Sequence, residues 1–396
     1  MNKFKFSWSA LLLSALLVMP SCSQKAAVEN ENSGEPITKG RDTELTYVLE
    51  NPYEVEAIEA PADGKVKNVI LMIGDGMSLA HVYTAWTANR GKLWLENAQA
   101  TGLSKTYCTD KLITDSGAGG TALASGHKTK YHSVGVDPDG KPLKSLVDYA
   151  HEKGMSTGVN VTCRLWDATP ADFLCHNSDR DQEDAIMTDY PTCNADVVVG
   201  PGWEKMIDRA DGRDLLKECA DNGFTVTRSL EEFEKSDATK AFCVPYEHDT
   251  PVPAERGNYL ERAAMKTLDI LSKNPNGFFL MIEGSQLDDY GHFNDIDLLM
   301  QETHDFDRTI GAVMKWAAKN GETLVVVTAD HETGGLTLVD GDLNEGKVIC
   351  KFSTGGHSGV MVPVYAFGPG AMNFTGIMEN TDIPRKIGAL VGLEIE

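Results

Sequence analysis

With 396 residues, 41% apolar and 24% charged, the chain can bury a large core, which excludes a disulfide-stapled miniprotein and general disorder. Its 36 lysines and arginines against 59 aspartates and glutamates give a formal net charge of −23, which repels a phosphate backbone and excludes non-specific nucleic-acid binding. Anionic small substrates are compatible with that charge where metal ions reverse its sign locally, and a single long apolar run excludes a polytopic membrane protein.

The chain opens on an export signal, residues 1–21: Lys3 and Lys5 precede the apolar core Leu11 to Met19. The core ends at Met-Pro-Ser-Cys-Ser, residues 19–23, which resembles a bacterial lipoprotein cleavage site. Acylation of Cys22 and attachment to a membrane are therefore expected, with the mature chain exported and either periplasmic or anchored in the outer membrane. Residues 22–60, rich in Glu, Asn, Pro and Lys, read as a flexible tether and entry arm, and 61–396 as one catalytic domain with no internal boundary. Beyond Cys22 there remain seven cysteines, an odd number that leaves at least one free thiol. Cys175 and Cys193 flank a polar, loop-like stretch and are the expected disulfide.

Past residue 60, strands and helices alternate. Val66–Ile73 is an apolar run of the kind buried on both faces, and 78–89 reads as a helix. Leu143–Lys153 is a predicted helix, closed by Gly154 and followed by the strand Ser156–Val161; Asp214–Asn222 and Phe224–Thr227 repeat that order. Then come a helical stretch at 257–273, the strand Phe278–Ile282, a long amphipathic helix at 295–319, and the strands Thr323–Thr328 and Val362–Phe367. The alternation predicts a mainly parallel sheet with helices on both faces.

In such sheets ligands bind beyond the carboxyl ends of the strands. Three apolar strands here end in acidic residues: Asp75, Glu283, and Asp330 with His331. Carboxylates gathered at one edge repel unless cations lie between them, so a metal cluster is the natural resolution. Asp288 and His292 stand at i and i+4, one face of a helical turn, which suits a zinc ion holding a carboxylate and an imidazole. His357 lies in a glycine-rich turn. Ser116 follows Asp115 and opens a small-residue stretch that reads as a helix start, where backbone N–H groups favour a phosphate and an alkoxide; the alternative is a simple capping serine. Neither a nucleophile elbow nor a P-loop fits, since Thr114 and Ala118 stand where the elbow needs glycine and His127 follows Gly126. Asp167-Ala-Thr169-Pro supplies hard oxygen ligands of the kind magnesium takes, and Arg180 can fork onto two phosphate oxygens.

Together GDGM, TDSGAGGTA, DATPA, the Glu283/Asp288/His292 spacing, TADH and the final Gly-Gly-His357 resemble the bacterial and animal alkaline phosphatase family, in order and over residues 66 to 367. The resemblance implies a three-layer α/β/α sandwich around a large, mostly parallel sheet. It also implies a metal-dependent phosphate monoesterase that forms a phosphoserine on Ser116 and releases inorganic phosphate and an alcohol. By position, Asp288, His292 and His357 resemble ligands of a first zinc. Asp75, Asp330 and His331 resemble ligands of a second, and Asp75, Thr169 and Glu283 those of one magnesium. Arg180 resembles the phosphate clamp, Asp115 the aspartate that orients it, and Asp167 an outer residue holding a magnesium-bound water.

Two features depart from the family. After the zinc aspartate it carries Lys, His or Trp; here stands Asp289, which cannot hold phosphate through water as Lys can. Between roughly 340 and 352 only a brief link is expected where larger members carry a long insert, so a crown-like domain, and dimerisation through it, are not expected. The alternatives are a phosphodiesterase of the same superfamily, and a non-catalytic surface lipoprotein that binds metal or phosphate. His81, His127, His132, His151, His176, His248 and His304 have no motif context and read as surface or capping residues.

Overall fold

The apolar runs that end in acidic residues become the middle of one sheet. The computed structural model describes residues 43–395, which fall in one compact unit. Its strands are β1 (Leu45–Val48), β2 (Asn68–Gly74), β3 (Ala100–Lys105), β4 (Ser156–Val161), β5 (Val197–Val199), β6 (Thr225–Thr227), β7 (Ala241–Cys243), β8 (Phe278–Gly284), β9 (Thr323–Thr328), β10 (Glu332–Thr333), β11 (Leu336–Asp342), β12 (Lys347–Phe352), β13 (His357–Ser358), β14 (Val362–Phe367) and β15 (Gly376–Glu379). Ten of them form one sheet in the order β15-β3-β14-β9-β2-β8-β4-β5-β7-β6. Neighbours are parallel except at β14, which runs against both β3 and β9.

β2, β8 and β9 are buried at every position, which is why their sequences are continuous apolar runs rather than alternating ones. The helices that cover them are α1 (Leu79–Ala88), α2 (Ser116–Ser125), α3 (Leu146–Glu152), α4 (Ala168–Leu174), α5 (Leu215–Asp221), α6 (Tyr259–Leu271), α7 (Gln286–Phe293), α8 (Ile296–Asn320) and α9 (Asp382–Val391). Successive β2 residues face opposite layers. Val69, Leu71 and Ile73 join the core that holds Leu123 of α2 and Ile387 of α9. Ile70 and Met72 join the core that holds Ala85 of α1, Leu268 of α6 and Val313 of α8. The fold is the expected three-layer α/β/α sandwich.

Predicted elements and structure agree to within a few residues; Ser78 caps α1, and left-handed Gly321 ends α8. The brief link expected near 340–352 takes the form of a hairpin, β11 against β12, and β1 adds to the free edge of β12 to make a separate three-stranded sheet. Two readings need correction. Of the segment 22–60 expected to be a tether and entry arm, the described part is docked: besides β1, Tyr53 donates its hydroxyl to buried Asp307 at 2.7 Å. Cys175 and Cys193 are both free thiols, like the other five described cysteines, so the expected disulfide is absent. Among the histidines read as surface or capping residues, His81 is the capping partner of Ser78, although buried, whereas His304 is neither: it is buried and stacks on Tyr47. The signal segment 1–21 and Cys22 lie outside the described residues. Among those described, no helix is long and apolar enough to cross a membrane.

Candidate active site and metal centre

The tips of β9, β2, β8 and β4 lie side by side. Ile73 is level with both Glu283 and Thr328, and Glu283 is level with Val161. The chain that leaves each tip therefore delivers its polar residues to one place. Asp75 follows β2, Glu283 closes β8, and Asp330 and His331 follow β9. Two backbone bonds lock the tips together: Asp75 N–H donates to Gly284 at 3.1 Å and Gly76 N–H to Asp330 Oδ1 at 3.2 Å. Gly76 is left-handed, φ +70°, and a Cβ there would meet Thr333 Oγ1 at 2.7 Å.

Two groups of side chains share this space. In one, His292 Nε2 lies 3.1 Å from Asp288 Oδ2 and 3.2 Å from His357 Nε2. His292 Nδ1 is 2.8 Å from the Gly355 carbonyl and His357 Nδ1 2.7 Å from the Thr114 carbonyl. A carbonyl only accepts, so both Nδ1 atoms carry a proton, and the two Nε2 atoms face each other beside the Asp288 carboxylate. A cation resolves that opposition. Two nitrogens bound to one tetrahedral zinc at about 2.05 Å lie roughly 3.3 Å apart, close to the spacing present. In the second group, His331 Nε2 lies 3.1 Å from Asp330 Oδ2 and 3.5 Å from Asp75 Oδ1. Asp75 Oδ1 and Asp330 Oδ2 are buried without a hydrogen-bond partner, as is Glu283 Oε1. Thr169 Oγ1 donates to Asp75 Oδ2 at 3.4 Å, which brings the oxygen set Asp75, Thr169 and Glu283 together. The donors fit divalent cations: nitrogen with carboxylate in two sets, oxygen alone in the third.

Electrostatics divides the carboxylates. Burial works against charge in all of them, yet histidines beside Asp288 and Asp330 hold those two below the usual range. Asp75 and Glu283 have no histidine hydrogen bond. Burial first, then neighbouring carboxylates, push Asp75 well up and Glu283 to about 8.

Ser116 is not the helix cap. Asp115 caps α2 by accepting from Ala118 N–H at 3.2 Å, and Ser116 occupies the first helical position with its Oγ 3.1 Å from His331 Nε2. The other Asp115 oxygen accepts from Arg180 Nη1 at 3.0 Å, while Arg180 Nη2 donates to Asp167 Oδ1 at 2.9 Å. Burial alone would raise Asp115, but Arg180 and the N–H groups of His132 and Ala118 hold it low. Asp167 accepts from Arg180 and from its own helix start, Ala168 N–H. Asp289 is half-buried beside Asp288, and burial, then Asp288 and Asp167, raise its carboxyl to about 7.

All twelve residues singled out, from Asp75 to His357, thus belong to one neighbourhood. Sequence reasoning missed Thr333, which is fully buried. Its hydroxyl donates to Asp288 Oδ1 and accepts from His331 Nδ1–H at 3.2 Å, tying one group to the other. The only sequence signal was its place two residues after His331. Also missed was Cys163, whose thiol donates to Glu283 Oε2 at 3.6 Å.

A family model described as alkaline phosphatase matches residues 66–351. The chain belongs to the alkaline phosphatase family. It is a phosphatase, a hydrolase of phosphate esters, in a metal-dependent family. Over 80% of its length it is 31% identical to alkaline phosphatase 4 of Bacillus subtilis, covering 87% of that protein, and over 91% it is 26% identical to the alkaline phosphatase of Escherichia coli, covering 97%. Among solved structures it resembles the alkaline phosphatase of the Antarctic bacterium TAB5, with 36% identity, a TM-score of 0.80, and coverage of 84% of this chain and 100% of that one.

A carboxyl whose folded pKa is raised keeps a proton that the unfolded chain releases, so stability falls as pH rises from its ordinary 4.5 towards about 8. Stripped of divalent cations, the phosphatase should lose on the order of a few kcal/mol across that window. Added zinc and magnesium should restore most at the alkaline end. Denaturant midpoints of chelator-treated protein against pH measure this; a metal-free midpoint that climbs with pH would contradict it.

Proposed function

We propose that this phosphatase hydrolyses phosphate monoesters through a phosphoserine on Ser116, with two zinc ions and one magnesium as cofactors. Asp288, His292 and His357 would hold one zinc, Asp75, Asp330 and His331 the other, and Asp75, Thr169 and Glu283 the magnesium, with Asp167 beside the last. The observation that carries the reading is Ser116 Oγ, 3.1 Å from His331 Nε2, at the first position of α2. Divalent cations held there would lower the pKa of an adjacent hydroxyl and neutralise phosphoryl charge.

The chain's own residues supply the rest. Ser116 Oγ gives up its proton and attacks phosphorus in line as the ester P–O bond opposite breaks, the departing oxygen taking up a proton and leaving as the alcohol, with the N-terminus of α2 favouring the negative charge. Arg180 is held by one carboxylate on each terminal nitrogen, so each keeps a second N–H free to point at a phosphate oxygen. Asp115 fixes that fork and the serine's helix with one carboxylate, which sets their separation. A second attack, by water on the phosphoserine, releases inorganic phosphate. For location, the proposal is export, acylation of Cys22 and residence in the periplasm or on the outer membrane.

Ser116→Ala should abolish the phosphorylated intermediate while metal content, by elemental analysis, stays near two zinc and one magnesium. Phosphopeptide mapping after an acid quench reads it, and a phosphorylated residue elsewhere would end the assignment. Arg180→Ser should cost monoester hydrolysis about 1.5–3 kcal/mol, or one to two decades in kcat/KM, and diester hydrolysis much less, because a monoester dianion offers an additional unsubstituted charged oxygen. Matched p-nitrophenyl esters measure it; a wild type that prefers the diester would overturn the monoesterase reading. Cys22→Ser should move the protein from the membrane to the soluble fraction with unchanged specific activity. Absence of fatty-acid label on the wild type would leave only a cleaved signal.

A further inference from the structure

Arg164 was not singled out by any motif, yet it closes a chain of charges that ends at the phosphate clamp. Asp167 splits its two oxygens between two arginines: Oδ1 accepts from Arg180 Nη2 at 2.9 Å, and Oδ2 lies 3.3 Å from Arg164 Nη2. Arg164 is anchored from its far side. Its Nη1 donates to Asp249 Oδ2 at 2.9 Å and its backbone N–H to Asp249 Oδ1 at 2.9 Å. Asp249 Oδ2 is in turn 2.8 Å from His248 Nδ1, and the His248 ring stands edge-on to Trp166 at 5.2 Å. The order is Asp115, Arg180, Asp167, Arg164, Asp249, an alternation of signs in which each inner group has an opposite charge on both sides.

We infer that Arg164 is a positioning residue for phosphate recognition: with Asp249 it holds the Asp167 carboxylate in the rotamer that aims the Arg180 fork. The inference rests on the reading of Arg180 as the phosphate clamp. The physical reason is that Asp167 stands at the N-cap of α4, and its side chain can turn to serve the helix alone. Without Arg164, Asp167 Oδ2 loses its only ion-pair partner among the described residues and can swing away from Arg180, which then keeps a single anchor, Asp115. A guanidinium tethered through one nitrogen retains its charge but loses the fixed orientation on which two-point binding of phosphate depends. Arg164 is also a cation that acts on Asp289, so positive charge beside that carboxylate comes from β4's exit loop rather than from α7.

The test is a double-mutant cycle on the metal-loaded enzyme, read as the inhibition constant of inorganic phosphate. Arg164→Met should raise that constant roughly five- to thirty-fold, the scale of one charge-assisted hydrogen bond partly lost. In an Arg180→Ser background the same change should do almost nothing, because there is no fork left to aim. Asp249→Asn, which keeps the guanidinium but loosens its anchor, should show the same dependence on Arg180 with a smaller rise, and it serves if Arg164→Met does not fold. A rise of equal size in both backgrounds would mean that Arg164 touches phosphate itself or only supports the fold, and would overturn the inference, as would no rise in either. If Arg180→Ser alone leaves phosphate inhibition unchanged, the clamp reading itself fails and this one with it.

Discussion

Repulsion between buried carboxylates is the constraint around which this molecule is arranged. Asp75, Glu283 and Asp330 stand on adjacent strand tips, all in the interior, and Asp288 joins them from α7. Two like charges at 4 Å cost about 4 kcal/mol at the effective dielectric typical of proteins. No lysine or arginine reaches Asp75, Glu283 or Asp330 by an ion pair among the described residues. The histidines compensate only in part, and His292 and His357 turn their Nε2 atoms towards each other. Cations supply what the side chains lack, and a sheet that presents such a cluster at its carboxyl edge is built to be completed by them.

The same edge explains the placement of Ser116. Helix α2 is made of small residues, SGAGGTALAS, because it must approach two walls closely. Gly119 faces the Asp330 backbone, where a Cβ would come within 2.9 Å of the carbonyl, and Gly120 faces Asp172 of α4 closer still. The serine thus reaches the second metal group without bulk between them. Asp115 then does two things with one carboxylate: it caps that helix and it orients Arg180. Ser116 and Arg180 cannot drift apart without breaking the cap, which would preorganise them for the roles proposed.

How far this was legible depended on whether a residue's role lay in its chain neighbourhood. The strands carrying Asp75, Glu283 and Asp330 announced themselves as apolar runs with acidic ends, and Asp288 and His292 by their spacing. Thr333, Cys163 and Arg164 carried no such signal. Thr333 matters because its hydroxyl lies between Asp288 and His331, Cys163 because its thiol meets Glu283, and Arg164 because Asp167 and Asp249 stand on either side. Loop chemistry misled in the opposite direction: Cys175 and Cys193 flank a polar stretch, but one thiol is buried in the core and both are free.

The sequence by itself determined the alternation of strands and helices, the parallel sheet, and the set of carboxylates and histidines at its edge, because each follows from local periodicity and from the acid that closes an apolar run. The tertiary structure alone decided how that set is shared out. Which imidazole nitrogen faces Asp288 depends on carbonyls at Gly355 and Thr114, far along the chain from His292 and His357. That the hairpin at 336–352 takes β1 as its third strand depends on a sheet edge that only folding exposes. That Asp167 serves two arginines at once depends on where β4's exit loop passes α4. Hydrogen bonds between distant segments have no period and no spacing to read, so they appear only when the chain has closed on itself.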